Sequence, residues 1–183
     1  HVVGDDRFVV ALGDAIVAPA EGPSLLERMR AAVEGGADCV VAVERISRDR
    51  ARRYGIVAPA SESRPGAPIP LAGMIEKPEP ADAPSDLAAC ARYVLPREVF
   101  EMLRGGPSER TGEVELTDAI AALIDAGAKV VAVPLAAGER RHDIGSPESY
   151  LLAQVELALA DPEWGPGLRD RLARLLGPDQ GPG

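Results

Sequence analysis

FVVALGDAIVAPAEGPSLLERMRAAVEGGADCVVAV, residues 8–43, decides the fold. Phe8 to Leu12 is a continuous apolar run and reads as a strand buried on both faces. Ser24 opens a helix, with Glu27 three residues on as its capping-box partner. Leu25, Leu26, Met29 and Val33 then recur at helical spacing, and Gly35 and Gly36 end it. Cys39 to Val43 is a second apolar strand. Strand, helix, strand in this order predicts a parallel pair joined by a right-handed crossover.

Beyond this unit the alternation continues. Tyr54 to Val57 reads as a short strand. Ala58 to Pro70 is rich in Pro, Ser and Gly and reads as a surface loop joining a hairpin. Leu71 to Lys77 is strand-like, and Pro78, Pro80 and Pro84 then interrupt regular structure. Leu87 to Leu95 is a strand, followed by a helix from Pro96 to about Leu103. A further helix runs from Asp118 to Ala126, then a buried strand from Val130 to Val133. Ser146 and Pro147 open a helix to about Ala160. Gly167 to Leu176 is a last amphipathic helix, and residues 178–183 read as a frayed end. The pattern predicts an α/β domain over residues 1–149 with a helical arm over residues 150–183.

The chain has 183 residues, 46% of them apolar, enough for a substantial core. Twenty basic residues face 29 acidic ones, a net charge of −9, the wrong balance for a sequence-independent nucleic-acid binder. No apolar run approaches the length of a membrane span, and no secretory signal is visible. Cys39 and Cys90 are the two cysteines, too far apart for a zinc motif, and read as buried thiols of a reducing cytoplasm. Aromatic residues are only 3%, too few for base-stacking platforms. Lys77 and Lys129 are the only lysines, so a lysine beside a strand end stands out.

Four segments can carry chemistry. Leu12-Gly13-Asp14 closes the first strand, and ligands in open α/β sheets sit at the carboxyl ends of strands. A carboxylate there suits a hard cation such as Mg²⁺, although a plain turn Asp has the same appearance. Glu76-Lys77-Pro78 ends another strand. Adjacent strand residues point to opposite faces, so Glu76 is free to accept hydroxyl hydrogen bonds while Lys77 offers an ammonium to phosphate. The alternative is an ordinary solvated edge. Asp143, in Arg141-His142-Asp143-Ile144-Gly145, is a candidate second carboxylate for the same cation. His142 reads as a surface or satisfied histidine. Glu113, Glu115 and Asp118 lead into a helix and can simply complement its dipole.

Taken together and in order, these segments resemble the bacterial UTP–glucose-1-phosphate uridylyltransferases, within the sugar-1-phosphate nucleotidyltransferases. The matching stretches are VGDDRFVVALGD from Val3, RRYGIV from Arg52, MIEKPEPADAPSDLAACARYVL from Met74, GEVELTDAIAALI from Gly112 and RHDIGSPESYLLAQVELAL from Arg141. The resemblance implies a Rossmann-like, mainly parallel mixed sheet with helices on both faces. It also implies transfer of a uridylyl group from UTP to glucose 1-phosphate, with release of pyrophosphate. Asp14 and Asp143 would hold Mg²⁺, and Lys77 would contact the sugar-linked phosphate. Glu76 would bind glucose hydroxyls, and Gly55 would offer its backbone where a side chain would block the sugar. Cys90 would lie near the sugar and Glu115 would shape its pocket. The family also implies a cytoplasmic homo-oligomer.

The sequence departs from that pattern at several places. Cys90-Ala91 stands where Val-Gly is common, Ser85-Asp86 where Ser-Asn is usual, and Ala15 where many relatives have a second Asp. The family's glycine-rich G-x-G-T-R-x-x-P loop, which wraps the triphosphate, is not in this sequence. With a start at His1 rather than Met, the expectation is a C-terminal portion of a longer enzyme, incomplete at its N-terminus. In that case Phe8 to Leu12 is left as an apolar sheet edge. The alternatives are an inactive sugar-phosphate-binding or interaction module, and a thymidylyl-specific relative.

Overall fold

The structure is a computed structural model that describes residues 3–4, 6–61, 64, 66–108 and 111–177. The end expected to fray, residues 178–183, lies outside the described residues, as do positions 62, 63 and 65 of the expected surface loop. The strands are β1 (Phe8–Ala11), β2 (Ala15–Ala18), β3 (Cys39–Arg45), β4 (Gly55–Pro59), β5 (Ile69–Glu76), β6 (Leu87–Leu95), β7 (Val130–Pro134) and β8 (Arg140–Asp143). The α-helices are α1 (Leu25–Glu34), α2 (Val99–Leu103), α3 (Leu116–Asp125), α4 (Pro147–Ala160) and α5 (Gly165–Leu176). Two compact units emerge, His1–Leu12 with Pro19–Arg140, and Gly13–Ala18 with Arg141–Gly183. The boundary expected between residues 149 and 150 falls inside α4.

In the first unit, six strands pair in the order β1-β6-β3-β7-β5-β4. An additional β4–β6 pairing, Ile56 opposite Ala88, closes five of them into a ring. β1 and β3 are not neighbours, which corrects the expected parallel pair. Both run antiparallel to β6, which lies between them. β6 is buried along its length except at Arg92, so it is best satisfied with a partner on each edge. The mainly parallel sheet is corrected too, since among the described ladders of this sheet only β3–β7 is parallel. The reason is connectivity. β4, β5 and β6 follow one another with no helix between them, and such connections favour antiparallel neighbours.

β1 is at the end of the strand order and its burial alternates, correcting the strand buried on both faces. Phe8 and Val10 pack on the core while Val9 is 54% exposed. That core joins Cys39, Val41 and Val43 of β3 and Val130 and Ala132 of β7 to Ala119, Ile120 and Leu123 of α3. α1 packs along β3 and β7 through its own buried residues Leu25, Met29 and Ala32. Its start is as expected: the Ser24 hydroxyl accepts from the Glu27 N–H, and the Glu27 carboxylate accepts from the Ser24 N–H at 2.8 Å. Hydrogen bonds from the Ser24 N–H and hydroxyl hold the Glu27 carboxyl below its usual range.

The second unit holds β2, β8 from Arg141 onward, α4 and α5. β2 pairs with β8 in a separate two-stranded sheet. The Ser146 cap of α4 is as expected, with Ser149 completing the box. No helix among the described residues is long and apolar enough to cross a membrane.

Candidate functional site

Gly55 opens β4 and lies opposite Glu76, the last residue of β5. Thr117, in the first turn of α3, reaches the same place. Its hydroxyl donates to Glu76 Oε2 at 2.5 Å, and both residues are buried. A Cβ on Gly55 would lie 2.8 Å from Thr117 Oγ1, 2.9 Å from Met74 Cε and 3.0 Å from Glu76 Oε2. No side chain fits there without displacing the Thr117–Glu76 bond. Glycine is required at this position by close approach, not by dihedral freedom.

Lys77 corrects an expectation. β5 ends at Glu76, and Lys77 turns into the left-handed region at φ 41°. Strand alternation therefore does not extend to it. Its N–H donates to Tyr54 O at 2.9 Å, and its ammonium comes back to 3.6 Å from Glu76 Oε1. The two groups form a contact pair, with the Lys77 side chain half exposed. An acceptor and a cation are thereby offered side by side at one strand end.

Glu115 immediately precedes α3, and its Oε1 is buried without a hydrogen-bond partner. A buried carboxylate oxygen lacking a donor is suited to a ligand hydroxyl. Cys90 is fully buried on β6, so its thiol faces the protein interior. Its neighbour Ala91 has φ 61°, at a register shift in which Val41 pairs with Tyr93 and Val43 with Ala89. The Ala91 carbonyl accepts from the Leu12 N–H at 3.1 Å, tying this bulge to the end of β1. Asp86, the other unusual residue, is matched in charge. Arg45 Nη1 lies 2.7 Å from its Oδ1 and 2.5 Å from its Oδ2.

In the second unit, Asp14 immediately precedes β2 and Asp143 ends β8. The Ile144 N–H donates to Asp14 O at 2.8 Å, joining the two segments. The Gly145 N–H donates to Asp143 Oδ1 at 3.0 Å, and a Cβ on Gly145 would lie 3.8 Å from Asp14 Cβ. Two carboxylates thus flank one glycine. Hard oxygen donors of this kind suit a divalent cation such as Mg²⁺. Among the described residues no group of three or more metal-ligating side chains gathers, so two carboxylates are what the protein offers there. His142 is buried, and its Nδ1 is 3.0 Å from Glu156 Oε2. It is the satisfied histidine that one of the two readings anticipated.

Thr117 was not assigned a role from sequence. Its partner is 41 residues away, and only the packing of α3 on β5 brings the two together.

The mixed sheet with packed helices, carrying Glu76 and Lys77 at one strand end, has the fold of a nucleotidyltransferase. The chain belongs to the nucleotidyl transferase family, whose model matches residues 1–159. It is 34% identical over 176 residues to a Bacillus subtilis UTP–glucose-1-phosphate uridylyltransferase, covering 96% of this chain and 56% of that protein. The Mycoplasma pneumoniae protein of the same name is 33% identical over 158 residues, covering 86% and 53%. Among solved structures, a UTP-bound UGPase from Acinetobacter baumannii superposes with a TM-score of 0.82 at 33% identity, over 95% of this chain and 58% of that one. A UDP-glucose pyrophosphorylase complexed with UDP-glucose gives 0.74 at 28% identity, over 83% and 56%. The chain therefore spans little more than half the length of these relatives.

Proposed function

We propose that this chain supplies the sugar-phosphate and cation-binding residues for transfer of a uridylyl group from UTP to glucose 1-phosphate. A phosphate oxygen of glucose 1-phosphate attacks the α-phosphorus of UTP in line. The bond to the β-phosphate breaks, giving UDP-glucose and pyrophosphate. The observation that carries this reading is the buried Glu76 carboxylate, held by Thr117 over a glycine with no room for a side chain. A fixed acceptor beside open backbone is what a sugar hydroxyl needs. The names of the relatives supply the nucleotide and the sugar.

In this reading Glu76 accepts from glucose hydroxyls, and the Gly55 backbone lies against the ring. Glu115 uses its unpartnered oxygen on the same sugar. The Cys90–Ala91 bulge approaches through its backbone, since the thiol is buried. Lys77 contacts the sugar-linked phosphate and offsets charge as the nucleophile reacts. Asp14 and Asp143 would hold Mg²⁺ through their carboxylates. When bound, the cation neutralises the phosphates and lowers the barrier to in-line attack. The expected setting is a cytoplasmic homo-oligomer in which the complete domain is Rossmann-like.

Calorimetry with UDP-glucose and with glucose 1-phosphate, in the presence of Mg²⁺, tests this. Binding by the wild type, weakened tenfold or more by Lys77→Ala and by Glu76→Ala, is the expected result. No binding by the wild type, or variants indistinguishable from it, overturns the assignment.

A further inference from the structure

His142 and Asp143 are consecutive on β8, so their side chains leave the strand on opposite sides. His142 is buried and lies 3.0 Å from Glu156 of α4, while Asp143 lies beside Gly145 and the Asp14 segment. β8 is four residues long and belongs to a sheet of two strands, which has little stability of its own. Apolar anchoring is also sparse, because Ala153 is the only buried residue of α4. The segment from Asp143 to Pro147 is then held at its ends by two polar devices. One is the Ser146–Ser149 capping box that starts α4. The other is the His142–Glu156 contact, which ties the strand to the same helix nearly three turns later.

We infer that His142 and Glu156 are positioning residues, which fix the register and rotation of β8 so that the Asp143 carboxylate is presented for cation binding. The inference rests on the reading of Asp14 and Asp143 as cation ligands. A strand released by one residue turns each of its side chains to the opposite face. An anchor on the buried side therefore controls the direction of the carboxylate on the other. Nδ1–H donates to the Glu156 carboxylate, and a glutamine at 156 retains an acceptor oxygen where alanine has none.

The test is a Mn²⁺ titration of the ¹⁵N-labelled protein, reading paramagnetic broadening of the Ile144 and Gly145 amides, with thermal unfolding measured on the same samples. The wild type is expected to show saturable broadening that Asp143→Ala abolishes. Glu156→Ala should raise the half-saturating Mn²⁺ concentration about tenfold, the size of effect typical for residues that orient a metal ligand. Glu156→Gln should stay close to the wild type. A Glu156→Ala variant with a lowered melting temperature but unchanged half-saturation makes the contact merely structural and overturns the inference alone. Wild-type protein without saturable broadening, or with broadening indifferent to Asp143→Ala, overturns the cation reading and the inference with it.

Discussion

Replacing Thr117 by valine isolates the contact on which the sugar-binding cluster is built. Valine keeps the branched shape and puts a methyl in place of the hydroxyl, which donates to Glu76 Oε2 at 2.5 Å. Both residues are buried, so water does not readily replace the lost donor. Lys77 lies 3.6 Å from the other oxygen, Oε1, beyond hydrogen-bond length. A hydrogen bond to a charged group contributes about 1.5–3 kcal/mol, and leaving the acceptor unmade in a buried place puts the loss within that range. For a chain of this size each kcal/mol moves the melting temperature by about 2–4 °C, so a loss of about 2 kcal/mol corresponds to about 4–8 °C. Urea unfolding and thermal melts of Thr117→Val, Glu76→Gln and the double variant supply a mutant cycle. The two substitutions should couple by at least about 1 kcal/mol, because they act on one bond. A melting temperature within about 1 °C of wild type, or strict additivity, would show that the hydroxyl does not hold the carboxylate.

Other perturbations report on other parts of the chain. Arg28 pairs with Glu139, whose side chain is 3% exposed, so Arg28→Ala leaves a buried carboxylate with the Ala136 N–H but without its counter-charge; urea unfolding should show a loss of about 3 kcal/mol, and a loss under about 1 kcal/mol would count against a buried pair. Ala91→Gly relieves a left-handed alanine, worth about 1–2 kcal/mol, and forfeits a buried methyl worth about 0.8 kcal/mol, so its melting temperature should equal or exceed the wild type's. Both thiols should be silent to Ellman's reagent in the native protein at neutral pH and react once it is unfolded, since both are fully buried. Burial, and secondarily Asp38, pushes the Cys39 thiol up to about 12 from 9.0. The raised value means that its stabilising contribution is complete below about pH 9 and is lost as pH rises toward 12, with native-state reactivity appearing over the same window.

Local signals in the sequence were reliable where the physics is local. The Ser24–Glu27 box, the Ser146 cap and the extent of β6 need only neighbouring residues to be recognised. Pairing was less legible. The apolar run of β1 looks the same in a sheet interior as on an edge, and no local feature shows that β6 inserts between β1 and β3. β8 escaped altogether because Arg140, Arg141, His142 and Asp143 lack a strand's apolar alternation, and its strand form comes from pairing with β2. The site was legible as residue types, and Glu76, Lys77, Asp14 and Asp143 all stand at strand ends. Its geometry was not. The left-handed Lys77 and the distant donor Thr117 are consequences of where β5 stops and where α3 packs.

The unusual residues of the sequence also differ in how the structure absorbs them. Asp86 adds a charge, and Arg45 answers it with two short contacts from β3. Both side chains of that pair are substantially exposed, so it removes a penalty without adding much stability. Ala91 adds a methyl where the backbone is left-handed, and a neighbouring side chain cannot compensate a torsional cost of its own backbone. The cost must be met by the fold, here through the bulge in β6 and the Ala91 carbonyl accepting from Leu12. That carbonyl lies on β6 immediately after Cys90, and the donor lies two residues before Asp14. A conformation unfavourable for alanine is therefore held by the same hydrogen bond that fixes the end of β1, where the chain turns toward its first candidate ligand.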